Sequence, residues 1–229
     1  MPPRRSYDQY CAAARALDAV GDRWTLLIVR ELLVGPRRYT DLHADLPGVS
    51  TDVLASRLKD MEQRGLATRR RLPAPSAAYV YELTGSGRAL LPVLEALAEW
   101  GAPALEERRP TDAVRAHWFA LPLLRHLAAA GAGAGAEGTV EVRLDEGCFH
   151  VRLAAGEQSH GGQTYGEQTY GERTYGDGPA PDGADATLTL DAGACVAVSR
   201  GELTLGQGVR DGRIEVTGDS VLAKALREA

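Results

Sequence analysis

The sequence predicts two domains in series, a mostly α N-terminal half with one β-hairpin (residues 1–110) and an α+β C-terminal half (residues 111–229). Length is the first observation behind this, since 229 residues suit two domains of ~100 residues, each able to bury a core. The second is a change of period. Apolar residues recur at helical spacing up to about residue 130, then alternate every second residue from Thr139 onward. The third is charge. Residues 1–110 hold 16 basic and 14 acidic side chains, a net +2, whereas residues 111–229 carry −7, within a total of −5. Positive charge gathers between Arg37 and Arg71, where eight basic side chains face five acidic ones, so the two halves differ in what they meet.

Taken in order, "YDQYCAAARALDAVG" places Tyr10, Ala14, Leu17 and Val20 on one helical face and stops at Gly21. "RWTLLIVRELLVG" is apolar almost all round, through Leu26, Leu27, Val29, Leu32 and Leu33, which predicts a core helix closed by Gly35-Pro36. "YTDLHADLPG" predicts a short helix starting near Thr40 or Asp41. In "GVSTDVLASRLKDMEQRGL", Ser50 sits where an N-cap belongs, and Leu54, Leu58 and Met61 share one face. Asp52, Ala55, Ser56 and Lys59 lie opposite, and Gly65 ends the helix. "LATRRRLPAPSAAYVYELT" reads as a hairpin with a Pro-rich tip, with Tyr79, Tyr81 and Leu83 alternating on its second strand. A continuous helix over 84–105 follows, with Leu90, Leu94, Leu97 and Trp100 on one stripe. This is the element order of a winged helix-turn-helix.

The second half opens with a helix over 111–130 interrupted by Pro122, and "GAGAGAEG" reads as a flexible link. "TVEVRLDEGCFHVRLAAG" predicts a hairpin turning at Asp145-Glu146-Gly147. "ATLTLD" and "RIEVTG" are further strands; "AGACVAVSRG", "LTLGQGVRDG" and "DSVLAKALREA" are helices, the last capped at Asp219. Between the strands, 161–178 repeats Gln/Arg-Thr-Tyr-Gly three times at a period of five, which matches neither helix nor strand. Two readings stay open. Either it is an expanded surface loop, or Tyr165, Tyr170 and Tyr175 supply stacking surface for a ligand or partner.

Several blocks of the first half resemble the HxlR-type winged-helix transcription regulators, relatives of the MarR group. They are "CAAARALDAVGDRWTLLIVRELLVGPRRYTDL", "LPGVSTDVLASRLKDMEQRGL" and "YELTGSGRALLPVLEALAEWG", together spanning about residues 7–105. The resemblance implies a homodimer built through the terminal helices (here 8–20 and 84–105), facing double-stranded DNA with half-sites one helical turn, ~34–36 Å, apart. A helix in the major groove reads bases with short polar and forked basic side chains near its N-terminus. Ser50, Thr51, Ser56 and Lys59 are placed for that task. Arg57, between the two faces, either reaches a phosphate or pins the helix to its own domain. Arg69, Arg70 and Arg71 run up the wing toward backbone or minor groove, and Arg37 and Arg38 suit phosphate contacts. For Trp24 and Trp100 the expectation is core or dimer packing. In some members of that family an early Cys senses oxidants or electrophiles; at Cys11 a buried, inert thiol is favoured over a switch.

"ATLTLDAGACVAVSRGELTLGQGVRDGRIEVTGD" resembles the closing portion of sterol-carrier-protein-like domains, over roughly residues 112–229. That resemblance implies an apolar cavity between sheet and helices, with Trp118, Phe119, Leu123, Leu124, Leu127 and Phe149 as candidate lining. The alternative for each is a filled core.

The remaining classes are poorly supported. No run of ~18 apolar residues exists to span a membrane. The charged start "MPPRRSYDQY" lacks a secretory apolar stretch, so a cytoplasmic location is expected. Cys11, Cys148 and Cys195 form no Cys-x-x-Cys pair, which predicts reduced thiols. The five His residues show no metal spacing, and no carboxylate pair, nucleophile elbow or phosphate loop occurs, so neither an enzyme nor a metal or other cofactor is expected. The resulting expectation is a dimeric DNA-binding regulator answering to a hydrophobic small molecule. The alternatives are a hydrophobic-ligand carrier dimerised by its winged-helix half, or a Cys11 redox switch.

Overall fold

The computed structural model describes residues 6–105, 108–153 and 174–229. The chain divides into two compact units, Met1–Leu91 and Pro92–Ala229.

The first unit holds α1 (Ala12–Val20), α2 (Thr25–Leu33), α3 (Tyr39–Asp45), α4 (Thr51–Gln63), β1 (Ala67–Arg71), β2 (Tyr79–Leu83) and the single turn α5 (Gly85–Arg88). Ile28, Val29 and Leu32 of α2 are buried with Leu42 of α3 and Leu54, Leu58 and Met61 of α4. Each such side chain contributes ~1.5–3 kcal/mol on burial, enough to hold three short helices that would be marginal alone. The apolar face of α1 is only half used: Ala14 and Val20 are buried, whereas Tyr10 and Leu17 are exposed and α1 starts only at Ala12. β1 and β2 pair antiparallel from Ala67↔Leu83 to Arg71↔Tyr79. On β2 it is Val80 and Leu83 that are buried, and Tyr79 is exposed, so the expected Tyr79/Tyr81/Leu83 stripe meets the core only at its base.

The junction after the hairpin explains the spacing of Thr84 and Gly87 in "YELTGSG". Thr84 donates its hydroxyl to the Gly65 carbonyl at 2.6 Å and accepts the Gly87 amide at 3.1 Å, capping α5. A Cβ on Gly87 would lie 2.1 Å from the Leu66 carbonyl oxygen, so only glycine permits this approach of backbones.

The second unit contains the rest of α6 (Leu91–Gly101), α7 (Ala120–Gly133), β3 (Gly138–Leu144), β4 (Gly147–Leu153), β5 (Thr174–Asp177), β6 (Ala186–Leu190), α8 (Ala192–Ser199), α9 (Leu205–Arg210), β7 (Ile214–Thr217) and α10 (Val221–Glu228). The continuous helix expected over 84–105 is therefore two helices, α5 and α6, separated at Ala89-Leu90, with a 3-10 turn over Ala102–Ala104. The helix expected over 111–130 begins as a 3-10 turn at Ala116–Phe119, and α7 starts at Ala120 with Pro122 in its first turn, where a missing amide costs little. "GAGAGAEG" is a helix terminus instead of a loose link. α7 runs to Gly133, Gly135 adopts φ +60°, and the Ala136 amide returns to the Gly131 carbonyl at 2.8 Å. α10 is capped by Ser220, one residue beyond the expected Asp219, because the Ser220 hydroxyl accepts the Ala223 amide and donates to the Asp185 carbonyl at 2.7 Å.

The sheet order is β5-β4-β3-β6-β7, antiparallel except for the β3–β6 pair. Register places Val140, Val142, Phe149, Val151, Leu188, Ile214 and Val216 on one face, all buried. Glu141, Arg143, His150, Thr187 and Glu215 occupy the other. One covered and one polar face is what the period-two pattern requires. Of the tyrosine repeat, only the end of the last copy falls in the described residues. It forms β5, with Tyr175 buried, so Tyr175 offers no exposed stacking surface. Tyr165 and Tyr170 lie outside the described residues.

Candidate nucleic-acid interface

α4 is positioned by its apolar side and presents its polar one. Leu54, Leu58 and Met61 anchor it, while Ser50, Thr51, Asp52, Ser56 and Lys59 are exposed along about 14 Å of helix. That length and an α-helix's girth match a major groove ~12 Å wide. The Ser50 hydroxyl accepts the Val53 amide at 3.3 Å, so Ser50 is engaged as N-cap and faces outward with its remaining capacity.

Two contacts fix the ends of this surface. The Tyr39 hydroxyl on α3 donates to the Thr51 carbonyl at 2.7 Å, and the Tyr39 ring stacks on His43 with centroids 6.5 Å apart. Arg57 reaches Asp22, ahead of α2, and Asp60 on its own helix at 2.8 Å. Its guanidinium is thus engaged within the unit, the second of the two roles expected for it.

The wing arginines separate by environment. Arg69 lies over the Tyr79 ring at 4.0 Å. Arg70 pairs with Glu82 on the facing strand at 3.1 Å. Arg71 is exposed at the end of β1. Arg37 joins the edge of the hairpin through reciprocal backbone bonds with Tyr81 at 3.0 and 2.8 Å, and Arg38 donates to the Ser76 hydroxyl at 3.1 Å near the wing tip. Hydrogen bonds thus tie α3 and the residues just before it to α4 through Tyr39 and to the hairpin through Arg37 and Arg38. Tyr39 and Asp22 were missed as positioning groups by the sequence reading, because nothing in spacing marks a long-range partner, whereas Asp60, three residues from Arg57 on α4, was open to helical spacing and was missed all the same. Arg23, exposed and lying over Trp24 at 5.2 Å, was missed as well.

A family model described as HxlR-like helix-turn-helix matches residues 19–109. YvaP, a helix-turn-helix-type transcriptional regulator of Bacillus subtilis (strain 168), is 38% identical over 86 residues, which are 38% of this chain and 80% of that protein. The chain belongs to the HxlR-like helix-turn-helix family. It is accordingly a DNA-binding transcription regulator and not an enzyme. Another relative is the Bacillus subtilis regulator YodB, 35% identical over 85 residues that cover 37% of this chain and 76% of YodB. A sll1512 regulator of Synechocystis sp. is 36% identical over 97 residues, 42% of this chain and 72% of that protein. The solved structure of reduced YodB superposes with a TM-score of 0.38, covering 44% of this chain and all of that one, at 31% identity.

Outside the HxlR-like region, the residues expected to line a cavity take two environments. Leu123, Leu124, Leu127 and Phe149 are fully buried, where α7 lies on the sheet. Trp118 and Phe119 are half-buried in the 3-10 turn, with Arg115 5.9 Å from the Trp118 ring. Among the described residues, a groove of about 270 Å³ lies between α6 and α7, and none of these six lines it.

Cys11 departs from expectation. It is exposed, at the N-cap of α1, and the backbone amides of Ala14 and Ala13 hold its thiol below the ordinary cysteine range. Cys195, by contrast, is buried and its thiol is pushed up by burial.

Proposed function

We propose that this HxlR-like regulator is a cytoplasmic homodimer that places two copies of α4 in successive major grooves and answers to a small molecule held by its C-terminal domain. The observation that carries the DNA-reading role is the combination of an exposed polar face from Ser50 to Lys59 with a rigid mount at Tyr39 and Arg57. In this reading Thr51, Ser56 and Lys59 meet bases or phosphates, with Ser50 at the helix cap. Arg37, Arg38, Arg69, Arg70 and Arg71 line the flanking backbone, and Arg57 serves as a positioning residue. Residues 1–110 form the DNA-binding and dimerisation domain, and 111–229 a sterol-carrier-protein-like ligand domain. A five-stranded sheet with a single apolar, helix-covered face supports the latter.

Dimerisation is supported by apolar side chains left in solvent. Tyr10 and Leu17 of α1 are exposed, as are Val93, Leu97 and Trp100 of α6. An 82% exposed tryptophan excludes core packing for Trp100, the other role considered for it. Light scattering at micromolar concentration is expected to give a dimer, and specific, salt-sensitive retardation of DNA from upstream of its own gene tests the regulator.

A second reading is favoured by Cys11 alone: an exposed thiol of lowered pKa has the chemistry of an oxidant or electrophile sensor. Alkylating the protein with iodoacetamide and repeating the DNA titration decides it. Unchanged DNA affinity removes the switch.

A further inference from the structure

We propose that Arg23 is a further DNA contact, holding a backbone phosphate on the flank of α4 away from the hairpin. The proposal rests on the DNA-reading role of α4 argued above.

Arg23 lies between α1 and α2, exposed, with its guanidinium 5.2 Å from the centroid of the Trp24 ring. A guanidinium resting on an aromatic face keeps its N–H donors for a ligand and has less freedom to lose on binding. Among the described residues Arg23 has no hydrogen-bond or ion-pair partner. The acid next to it in sequence, Asp22, is taken by Arg57, which also reaches Asp60 at 2.8 Å. That pairing keeps Asp22 from competing for Arg23.

Helical spacing relates Arg23 to the base-reading face. A hollow of about 330 Å³ is bounded by residues 22–24 on one side and by Asp52, Val53, Ser56 and Arg57 of α4 on the other. Val53 and Arg57, four apart, form the flank of α4 turned to residues 22–24. Asp52 and Ser56, also four apart, lie about 100° further round, toward the outward face with Lys59. Glu62 lies about 180° around α4 from Val53, on the hairpin side. Burial raises the pKa of the Tyr81 phenol on β2, and the Glu62 charge adds to it. Arg69 is the partner of Tyr81 across the hairpin.

A helix seated in a major groove has a phosphate backbone along each side. The hairpin arginines serve one side, and the opposite side needs a donor of its own. The charges around the hollow cancel in number but not in place. Asp22 and Arg57 satisfy each other. Asp52 belongs to the face turned to base edges, where the amino groups of cytosine and adenine are donors. Arg23 is left at the backbone side as the hollow's uncompensated cation.

The test is a salt titration of the full-length protein, by fluorescence anisotropy, on a short duplex that it selects from a randomised library. Arg23→Ala should lower the slope of log affinity against log salt by ~0.9, the share of one neutralised phosphate. Arg23→Lys should restore the slope, because a cation remains. When single phosphates of the duplex are replaced by uncharged methylphosphonates, one position that weakens the wild type should be silent in Arg23→Ala. Circular dichroism melts close to wild type are expected for both variants, since the side chain is exposed. An unchanged slope in Arg23→Ala, a slope that stays low in Arg23→Lys, or the absence of a silenced position overturns the contact. If Lys59→Ala lowers the slope and Arg23→Ala does not, the contact fails while the DNA-reading role of α4 stands. A wild-type protein that selects no duplex overturns both.

Discussion

The Tyr39 hydroxyl donates to the Thr51 carbonyl at 2.7 Å, tying the start of α3 to the first turn of the DNA-reading helix. A helix that must enter a groove at one angle gains from a second point of attachment beside its own apolar anchors. Tyr39→Phe removes one hydrogen bond while keeping the ring and its stacking on His43. The expected cost is ~0.5–1.5 kcal/mol of stability, read as a lower melting temperature, together with weaker DNA binding by fluorescence anisotropy. Unchanged DNA affinity would show that the tie does not position α4.

Arg57 and Lys59 are two positions apart on α4 but differ in what they meet. Arg57 is engaged by Asp22 and Asp60, and Lys59 is exposed. Lys59→Ala should therefore reduce the slope of log affinity against log salt by ~0.9, the contribution of one neutralised phosphate. Arg57→Ala should weaken binding at every salt concentration with the slope preserved. A flattened slope in Arg57→Ala would return that residue to the phosphate-contacting set.

How much of this was legible in the sequence depends on the range of the interactions. Ser50 as N-cap, the Leu54/Leu58/Met61 face and the Val140/Val142 alternation are local patterns, and the structure follows them. The break between α5 and α6 was missed because Ala89, Leu90 and Leu91 are good helix formers, although Pro92 has no amide to bond the Arg88 carbonyl, and Arg88 is where α5 stops. "GAGAGAEG" misled for a related reason: composition signals freedom, but α7 runs into it as far as Gly133 before the left-handed Gly135 and a return hydrogen bond from Ala136 close the helix. The exposure of Cys11 was equally invisible, since neutral neighbours in sequence say nothing of which atoms surround a helix start.

Gly87 gives a direct test of the junction after the hairpin. Any side chain there would meet the Leu66 carbonyl, a backbone atom that cannot rotate away. Gly87→Ala should destabilise by ~1–3 kcal/mol, the usual range for overpacking, seen in thermal melts. Gly85→Ala, whose added methyl meets nothing within 4 Å, is the control and should melt close to wild type.

Trp100 tests the pairing surface. Its 82% exposure means that replacing it removes no packing from the folded chain. Trp100→Asp should leave the melting of the monomeric fold largely intact while shifting sedimentation toward monomer and lowering DNA affinity. A wild-type protein that already sediments as a monomer would remove the dimer reading.

His126, on α7, supplies the pH dependence. Burial lowers its pKa, and the adjacent Arg125 lowers it further, against a smaller opposing effect of Glu99. Its Nε2 is enclosed with no hydrogen-bond partner among the described residues. A histidine whose folded pKa lies below the unfolded value of about 6.5 favours folding in its neutral form. Its stabilisation is therefore fully present above that pH and is lost as pH falls below it toward the folded pKa. Melting temperature should drop between pH 7.5 and 5.5, and part of that drop should vanish in His126→Leu, where there is no ring to protonate. If the variant and the wild type lose stability in parallel over this range, acid sensitivity resides elsewhere, and protonation of His126 is not what loosens α7.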